Sequence, residues 1–121
     1  MLNINDLYFQ QSLKHALDCY DYYFAGSISY HNGYSLGGFA FIPSSYKCYF
    51  CLAYGRGRWI TKELFSQYLA YPFTQLNALI LSANIHKSNI KSLRLCLRFG
   101  FRVVEETDNW VSLMLSRKDW T

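Results

Sequence analysis

The residues that could carry chemistry fall into two stretches of the sequence. The first is the loop Arg56-Gly57-Arg58, which continues into Trp59-Ile60-Thr61 and separates an apolar, strand-like run from a helical pattern. A strand that leads through a glycine loop into a helix leaves backbone N–H groups free to hold a phosphate. The second stretch, Asn89 to Phe101, reads NIKSLRLCLRFGF and carries Ser92 and Cys96. The pattern therefore predicts an anion site at the start of one helix, with a second helix nearby.

The four cysteines do not form a metal site by their spacing. Cys48 and Cys51 make a C-x-x-C pair, which can indicate zinc or redox chemistry. They lie in a strand-like run, where residues three apart face opposite sides of a sheet, and no second pair has ligand spacing. We expect reduced, structural cysteines and no metal.

Length, charge and hydropathy limit the class of protein. A chain of 121 residues with 51% hydrophobic residues predicts one domain, 1–121, with a substantial core. The net charge of +4 fits an anionic ligand such as a nucleotide, or a weak contact with nucleic acid, and requires neither. No apolar run is long enough to span a membrane, and the N-terminus lacks the pattern of a signal peptide, so we expect a soluble, cytoplasmic protein.

The periodicity of apolar residues predicts the elements that position the two stretches. We expect a helix, three antiparallel strands, a helix, a strand, a helix and two final strands. In chain order, the first helix covers 5–20 and the three antiparallel strands cover 22–30, 35–42 and 46–54. A helix opened by residues 59–61 follows, then a strand over 78–83 and a helix that is capped by Ser88 or Asn89 and ends at Gly100. The two final strands cover 101–106 and 110–116.

Glycine and proline indicate local geometry within these elements. Asn32-Gly33 between two apolar runs predicts a hairpin. Gly37-Gly38 inside the second strand indicates a bulge or a close backbone approach. Pro72 predicts that the middle helix kinks or ends just before it.

The last predicted helix carries two different faces. Ile90, Leu93 and Leu97 are expected to point to the core, whereas a basic stripe occupies another face: Lys87, Lys91, Arg94 and Arg98. This stripe is either a solvated surface or a contact for phosphate groups.

Together, the motifs resemble the GCN5-related N-acetyltransferase (GNAT) superfamily. The likeness rests on R-G-R-W-I-T before a helix and on N-x-x-S-L-R-L-C followed by G-F, and it covers about residues 26–120. Within the superfamily, G-R-W-I-T, Y-P-F-T-Q-L and the final M-L-S-R-K-D-W are similar to short acetyltransferase-like proteins of bacteriophages and prophages. The resemblance implies an α/β (α+β) fold with a mostly antiparallel, mixed sheet of about six strands, helices on both faces and a shortened N-terminus.

The resemblance also implies an acyl-CoA ligand, most simply acetyl-CoA. Its pyrophosphate would rest on the loop Arg56, Gly57, Arg58, Trp59, Ile60 and Thr61, although Trp59 and Ile60 replace the small residues common there. The pantetheine arm would follow the backbone of the preceding strand at Leu52, Ala53 and Tyr54. The Asn-x-x-Ser motif implies cofactor contacts from Asn89 and Ser92.

The catalytic residues that the resemblance implies match the family's pattern less well than the cofactor residues do. Cys96 occupies the position where the family commonly has a tyrosine that protonates the departing thiolate. No Asp or Glu occurs between Tyr22 and Lys62, so the central strands carry no carboxylate base. His86, after a buried strand, would lie nearest the thioester. Other candidates for the base are His31, Glu105, Glu106, Asp108 and ordered water.

Three functions stay open at this point. The first is an N-acyltransferase that moves an acyl group to a primary amine by direct attack in a ternary complex. The second is a phage-type enzyme that modifies nucleic acid in the host cytoplasm with the same cofactor. The third is a GNAT-like binding or structural protein without catalysis. The acceptor (small molecule, protein or nucleobase) and a homodimer are left undetermined.

Overall fold

The computed structural model describes residues 2–120 and contains one seven-stranded sheet with three helices. In chain order the elements are β1 (Leu2–Ile4), α1 (Leu7–Leu17), β2 (Gly26–Asn32), β3 (Ser35–Ser45), β4 (Cys48–Arg56), α2 (Lys62–Gln75), β5 (Ile80–His86), α3 (Ile90–Arg98), β6 (Arg102–Glu106) and β7 (Trp110–Ser116). The strand order across the sheet is β1-β2-β3-β4-β5-β7-β6. All neighbouring strands are antiparallel except β4 and β5. The mixed α/β architecture expected from the sequence is confirmed.

The two faces of the sheet are covered by different helices. Phe9 and Leu13 of α1 pack with Leu36 and Ala40 of β3 in a small cluster on one face. Helices α2 and α3 cover the other face, where a larger cluster holds most of the buried aromatic side chains: Phe41, Phe65, Tyr68, Tyr71, Phe73 and Phe101. Because side chains alternate along a strand, each strand sends one set of residues to α1 and the other set to α2 and α3.

The contact between β4 and β5 is unusually short. Only Cys48–Phe50 pairs with Ile80–Ser82, in parallel. Beyond these residues β4 continues to Arg56 beside β3, and β5 continues to His86 beside β7. The two strands therefore diverge and leave a gap in the middle of the sheet.

Short polar side chains fix the start of each helix. Asp6 accepts a hydrogen bond from the Tyr8 amide, Thr61 from the Leu64 amide and Asn89 from the Ser92 amide, at 3.1, 3.1 and 3.3 Å. Each of these bonds satisfies a donor that the helix itself leaves unpaired. At the end of α3, Gly100 adopts φ +103°, a conformation that favours glycine. The predicted caps at Asn89 and Gly100 are confirmed.

Some expectations about individual elements were wrong. The strand β1 was not predicted, because three residues are too few to show alternation. Helix α2 begins at Lys62, directly after the residues 59–61 that were expected to open it, but it does not end before Pro72 and continues to Gln75. Gly37-Gly38 is no bulge, since the register shift of β3 lies between Pro43 and Ser45, but the alternative of a close backbone approach is confirmed at Gly38, where an added Cβ would lie 2.2 Å from the Ile28 carbonyl oxygen.

The predicted core face of α3 was also wrong in part. Ile90 and Leu97 are 49% and 51% exposed, whereas Cys96 is buried and Leu93 is partly buried against the main cluster. The face toward the sheet thus runs through Leu93 and Cys96. Ile90 and Leu97 lie outside this face of α3, so the sheet does not cover them. No helix in residues 2–120 is both long and apolar enough to cross a membrane.

Candidate functional site

The gap between β4 and β5 opens into a cavity of about 700 Å³. Its lining includes Cys51 and Ala53, which face α2 and α3, and also Leu52 and Tyr54, which face α1. A cavity lined from both faces must pass through the sheet. Beyond Phe50 the backbone of β4 has no β5 partner, so its polar groups border this passage.

Trp59 forms one wall of the cavity, and two glycines make room for it. Gly37 and Gly55 are paired across β3 and β4. A Cβ added at Gly37 would lie 2.2 Å from Cδ2 of the indole, and one at Gly55 would lie 2.1 Å from Nε1. The Tyr68 hydroxyl donates a 2.6 Å hydrogen bond to the Trp59 carbonyl, which fixes the loop above the sheet. Gly37 and Gly55 therefore allow the close packing of an aromatic ring on the sheet.

The loop before α2 places its two arginines away from the cavity. The Arg56 side chain is exposed on the α1 face, where the nearby Tyr8 and Tyr54 hydroxyls raise the pKa of Arg56. Gly57 has φ +75°, and the Arg58 amide donates to the Ser35 hydroxyl at 3.0 Å. Neither Arg56 nor Arg58 lines the cavity.

The N-terminus of α2 leaves two amides available. The Leu64 amide donates to Thr61, and the Phe65 amide donates to the Thr61 carbonyl. Among the hydrogen bonds of residues 2–120, the amides of Lys62 and Glu63 are not donors. These N–H groups and the helix dipole favour an anion, although the Glu63 carboxylate lies in the same first turn.

A second groove, of about 390 Å³, adjoins this helix start. It separates the beginning of α2 from α3 and is lined by four cationic side chains and no acidic one: Lys62, Lys91, Arg94 and Arg98. Ile60 and Leu95 line both the groove and the cavity, so the two spaces are adjacent. Three members of the predicted basic stripe thus lie in a groove, and Lys87 lies outside it.

Two thiols line the cavity on the side of α2 and α3. Cys96 is 6% exposed, and burial raises the pKa of its thiol to about 12. Burial, and to a smaller extent the nearby Cys96, also raise the pKa of Cys51. Both groups are therefore protonated at neutral pH. Each can donate a hydrogen bond, but neither is a thiolate nucleophile.

On the α1 face, the mouth of the cavity is polar and aromatic. Asn84 and His86 of β5 pair with Ser112 and Trp110 of β7. The Ser112 hydroxyl donates to Oδ1 of Asn84 at 2.7 Å. Nδ1 of His86 accepts from the Ser88 amide at 3.2 Å and lies 2.8 Å from the Ser88 hydroxyl; with Nδ1 as the acceptor, a neutral His86 carries its proton on Nε2. The His86 ring stands edge-on to Trp110 at 5.1 Å.

The structure brings most of the residues singled out from the sequence to this cavity. Its lining contains Leu52, Ala53, Tyr54, Trp59, Ile60, His86, Asn89, Ser92 and Cys96. Arg56, Gly57, Arg58 and Thr61 do not line it, and neither do His31, Glu105, Glu106 or Asp108. Sequence reasoning missed Asn84, because the strand was predicted to stop at Ala83. The alternation of Ser82, Asn84 and His86 with Leu81, Ala83 and Ile85 was the signal that a longer, half-polar strand continues.

Comparison with solved structures identifies the fold. A chimera of the spermidine N-acetyltransferase SpeG from Vibrio cholerae and hSSAT superposes with a TM-score of 0.72 at 16% identity, covering 98% of this chain and 97% of that one. The N-acetyltransferase PseH from Campylobacter jejuni, in complex with acetyl coenzyme A, gives 0.61 at 17% identity, over 92% and 81% of the two chains. A dodecameric SpeG from V. cholerae gives 0.67 at 14% identity, over 97% and 94%. No family model matches the chain, and no curated protein matches its sequence. The chain has the fold of the GNAT acetyltransferases.

Proposed function

We propose that this protein is an acyl-CoA-dependent N-acyltransferase that uses acetyl-CoA and acylates a primary amine by direct attack in a ternary complex. The observation that carries the proposal is the cavity through the sheet between β4 and β5, next to a groove lined by four cations. A long ligand with an apolar arm and several phosphates matches this pair of spaces. The PseH structure with acetyl coenzyme A supports the same reading of the fold.

The residues present fit such a ligand. The unpaired edge of β4 at Leu52, Ala53 and Tyr54 would accompany the pantetheine arm through backbone hydrogen bonds. The amides of Lys62 and Glu63 would hold the pyrophosphate at the start of α2. The groove cations, rather than Arg56 and Arg58, would then neutralise the phosphates. Asn89 and Ser92 line the cavity at the start of α3, where the Asn-x-x-Ser motif predicts cofactor contacts.

The coenzyme would supply an activated acyl thioester, and the chain would supply placement. Backbone N–H groups at the gap would polarise the acyl carbonyl. Cys96 would donate a hydrogen bond to the sulfur. Full transfer of its proton is uphill, because its pKa of about 12 lies roughly 3 units above that of an ordinary thiol. His86, with Nδ1 occupied by the Ser88 amide, is oriented as a donor rather than as a general base.

Calorimetric titration with acetyl-CoA tests the cofactor half of the proposal. Arg94→Gln and Lys91→Gln should each weaken binding about tenfold, since each removes a charge-assisted contact worth roughly 1.5 kcal/mol. Glu63→Gln should strengthen binding, because it removes a negative charge from the first turn of α2. Lys118→Gln is the matched control, as it removes the same charge from a turn outside both spaces. Absence of binding, or equal weakening by Lys118→Gln, would overturn the proposal.

The same protein preparations also distinguish acyl transfer from two alternative functions. The basic groove is the feature that favours a nucleic-acid substrate, as in the phage-type prediction, and salt-dependent retention of DNA in place of acetyl-CoA binding would support it. The high pKa of Cys96 and the absence of a carboxylate in the cavity lining favour a non-catalytic binding protein. Acetyl-CoA binding without transfer to any amine would support that function.

A further inference from the structure

The α1 side of the cavity has no carboxylate among the residues that line it, so it offers no negative charge to an ammonium ion. This side, here called the acceptor mouth, consists of Leu17, Leu52, Tyr54, Asn84, His86 and Trp110. None of the residues that line the cavity is Asp or Glu. Tyr54, which lines the mouth, raises the pKa of Arg56, so a positive charge adjoins the mouth on this face.

Asn84 and His86 each present a hydrogen-bond donor in the acceptor mouth. Ser112 donates to Oδ1 of Asn84 at 2.7 Å, which leaves the Nδ2 hydrogens of Asn84 available. The Ser88 amide donates to Nδ1 of His86, which leaves an N–H at Nε2. An ammonium ion, which is itself only a donor, would find one remaining acceptor in this pair of side chains, the second lone pair of Asn84 Oδ1, and no negative charge.

This arrangement acts against a strongly basic acceptor. An aliphatic amine with a pKa of about 10.4, as in lysine, is neutral in roughly one molecule in 2,500 at pH 7. Entry of its protonated form into this partly desolvated space without a counter-charge is unfavourable. A polycation such as spermidine, the substrate class named for the similar SpeG structures, meets this penalty at more than one nitrogen.

We propose that the acceptor is an aromatic amine of low basicity, a deduction that rests on the proposed acyltransferase function. Its ring would lie against Trp110 and Tyr54 in the acceptor mouth, and its amino group would arrive neutral. The amine nitrogen forms a bond to the acyl carbon, and the carbon–sulfur bond breaks with its electron pair going to sulfur. The proton lost by nitrogen ends on that sulfur, so no base needs to be charged.

A matched pair of amines tests the proposal. Aniline and benzylamine have similar size and the same ring, but only benzylamine is strongly basic. At pH 7, kcat/KM for aniline should exceed that for benzylamine and for spermidine at least tenfold. The benzylamine rate should rise about tenfold per pH unit between pH 7 and 9, because only the neutral form reacts, whereas the aniline rate should stay flat. A preference for benzylamine or spermidine at pH 7, or a flat benzylamine profile, would overturn the proposal.

Binding without coenzyme separates this inference from the proposed function. Aniline should quench the fluorescence of Trp110, and Trp110→Phe should abolish that change. Asn84→Asp should strengthen benzylamine and spermidine binding about tenfold, since it adds the missing carboxylate, and the uncharged Asn84→Leu should not. Thermal unfolding of both variants checks that they fold. If the protein binds aniline but not acetyl-CoA, the proposed acyl transfer is overturned and the aromatic-amine ligand is retained. If it binds all three amines equally, or none of them, the proposal of an aromatic-amine ligand is itself overturned.

Discussion

Substitution of Gly55 by alanine should destabilise the protein through a single side chain, Trp59. The added Cβ would lie 2.1 Å from Nε1 and 2.2 Å from Cε2 of the indole. Non-bonded carbon atoms are most stable about 3.5 Å or more apart, so the ring must move by roughly 1.4 Å. The paired Gly37 lies equally close to the ring, at 2.2 Å from Cδ2 for an added Cβ, and therefore carries the same constraint.

The ring has little freedom to make this movement. The Trp59 carbonyl accepts the Tyr68 hydroxyl at 2.6 Å, and the indole packs on Phe39 and Tyr68 with ring centroids 5.7 and 6.0 Å apart. Overpacking of this kind costs about 1–3 kcal/mol. We therefore expect Gly55→Ala to lower the free energy of unfolding by about 2 kcal/mol, equivalent to a fall in Tm of about 8 °C for a chain of this size.

Urea unfolding of a double-mutant cycle measures the clash directly. Trp59→Leu removes the ring, so Gly55→Ala should cost almost nothing in that background, and the coupling free energy should be about 2 kcal/mol. Gly33→Asn is the control, because a Cβ added at Gly33 would meet no atom within 4 Å beyond its chain neighbours, and asparagine tolerates the φ of +60°. Wild-type stability of Gly55→Ala, or an equal cost with and without the indole, would refute the reasoning.

Two further predictions concern burial and the end of α2. The pKa of Cys96 is raised from 9.0 in the unfolded chain to about 12, so its contribution to stability is complete below pH 9 and is lost as the pH rises toward 12. Between about pH 8 and pH 10.5, the free energy of unfolding in urea should therefore fall less in Cys96→Ala than in the wild type. Equal falls in the two proteins would contradict this. Arg117 donates from Nε to the Ala78 carbonyl at 3.1 Å and from Nη2 to the Phe73 carbonyl, so Arg117→Lys should cost about 2 kcal/mol. Arg102→Lys, which alters a surface ion pair of 3.4 Å with Asp119, should cost less than about 1 kcal/mol, and equal costs would argue against the role of Arg117.

Much of the fold could be predicted because local signals and tertiary structure agree. Strand β7 matches its predicted bounds, and the predicted helix begins after Asn89 and ends before Gly100, as expected. Pro72 does not end α2, which continues to Gln75; the Pro72 ring is fully buried, and this tertiary burial is not visible in the local sequence signal. The exposed Ile90 and Leu97 could not be foreseen either, because periodicity gives the relative positions of apolar residues and not which sector the sheet covers.

The candidate site was predictable in composition and less so in geometry. The loop and the Asn-x-x-Ser motif directed attention to residues that do line the cavity, such as Trp59 and Cys96. The orientation of Arg56 toward Tyr8 and Tyr54 depends on which face of β4 it occupies, and that follows from a register that the sequence does not display. The donor character of Asn84 and His86 likewise depends on Ser112 and Ser88, whose positions only the folded chain defines.

The three paired residues that join β4 to β5 have a consequence for local opening of the protein. The four strands before the junction and the three after it are held by antiparallel ladders, and all of these except the three pairs between β1 and β2 are longer than the junction, such as the seven pairs between β5 and β7. We expect amide hydrogens at the junction to exchange with solvent faster than those inside either ladder, because the two halves can part without either one unfolding. A ligand that bridges the halves would slow this exchange. Ligand binding could then be followed by the exchange rate of the junction amides, without measuring a reaction product.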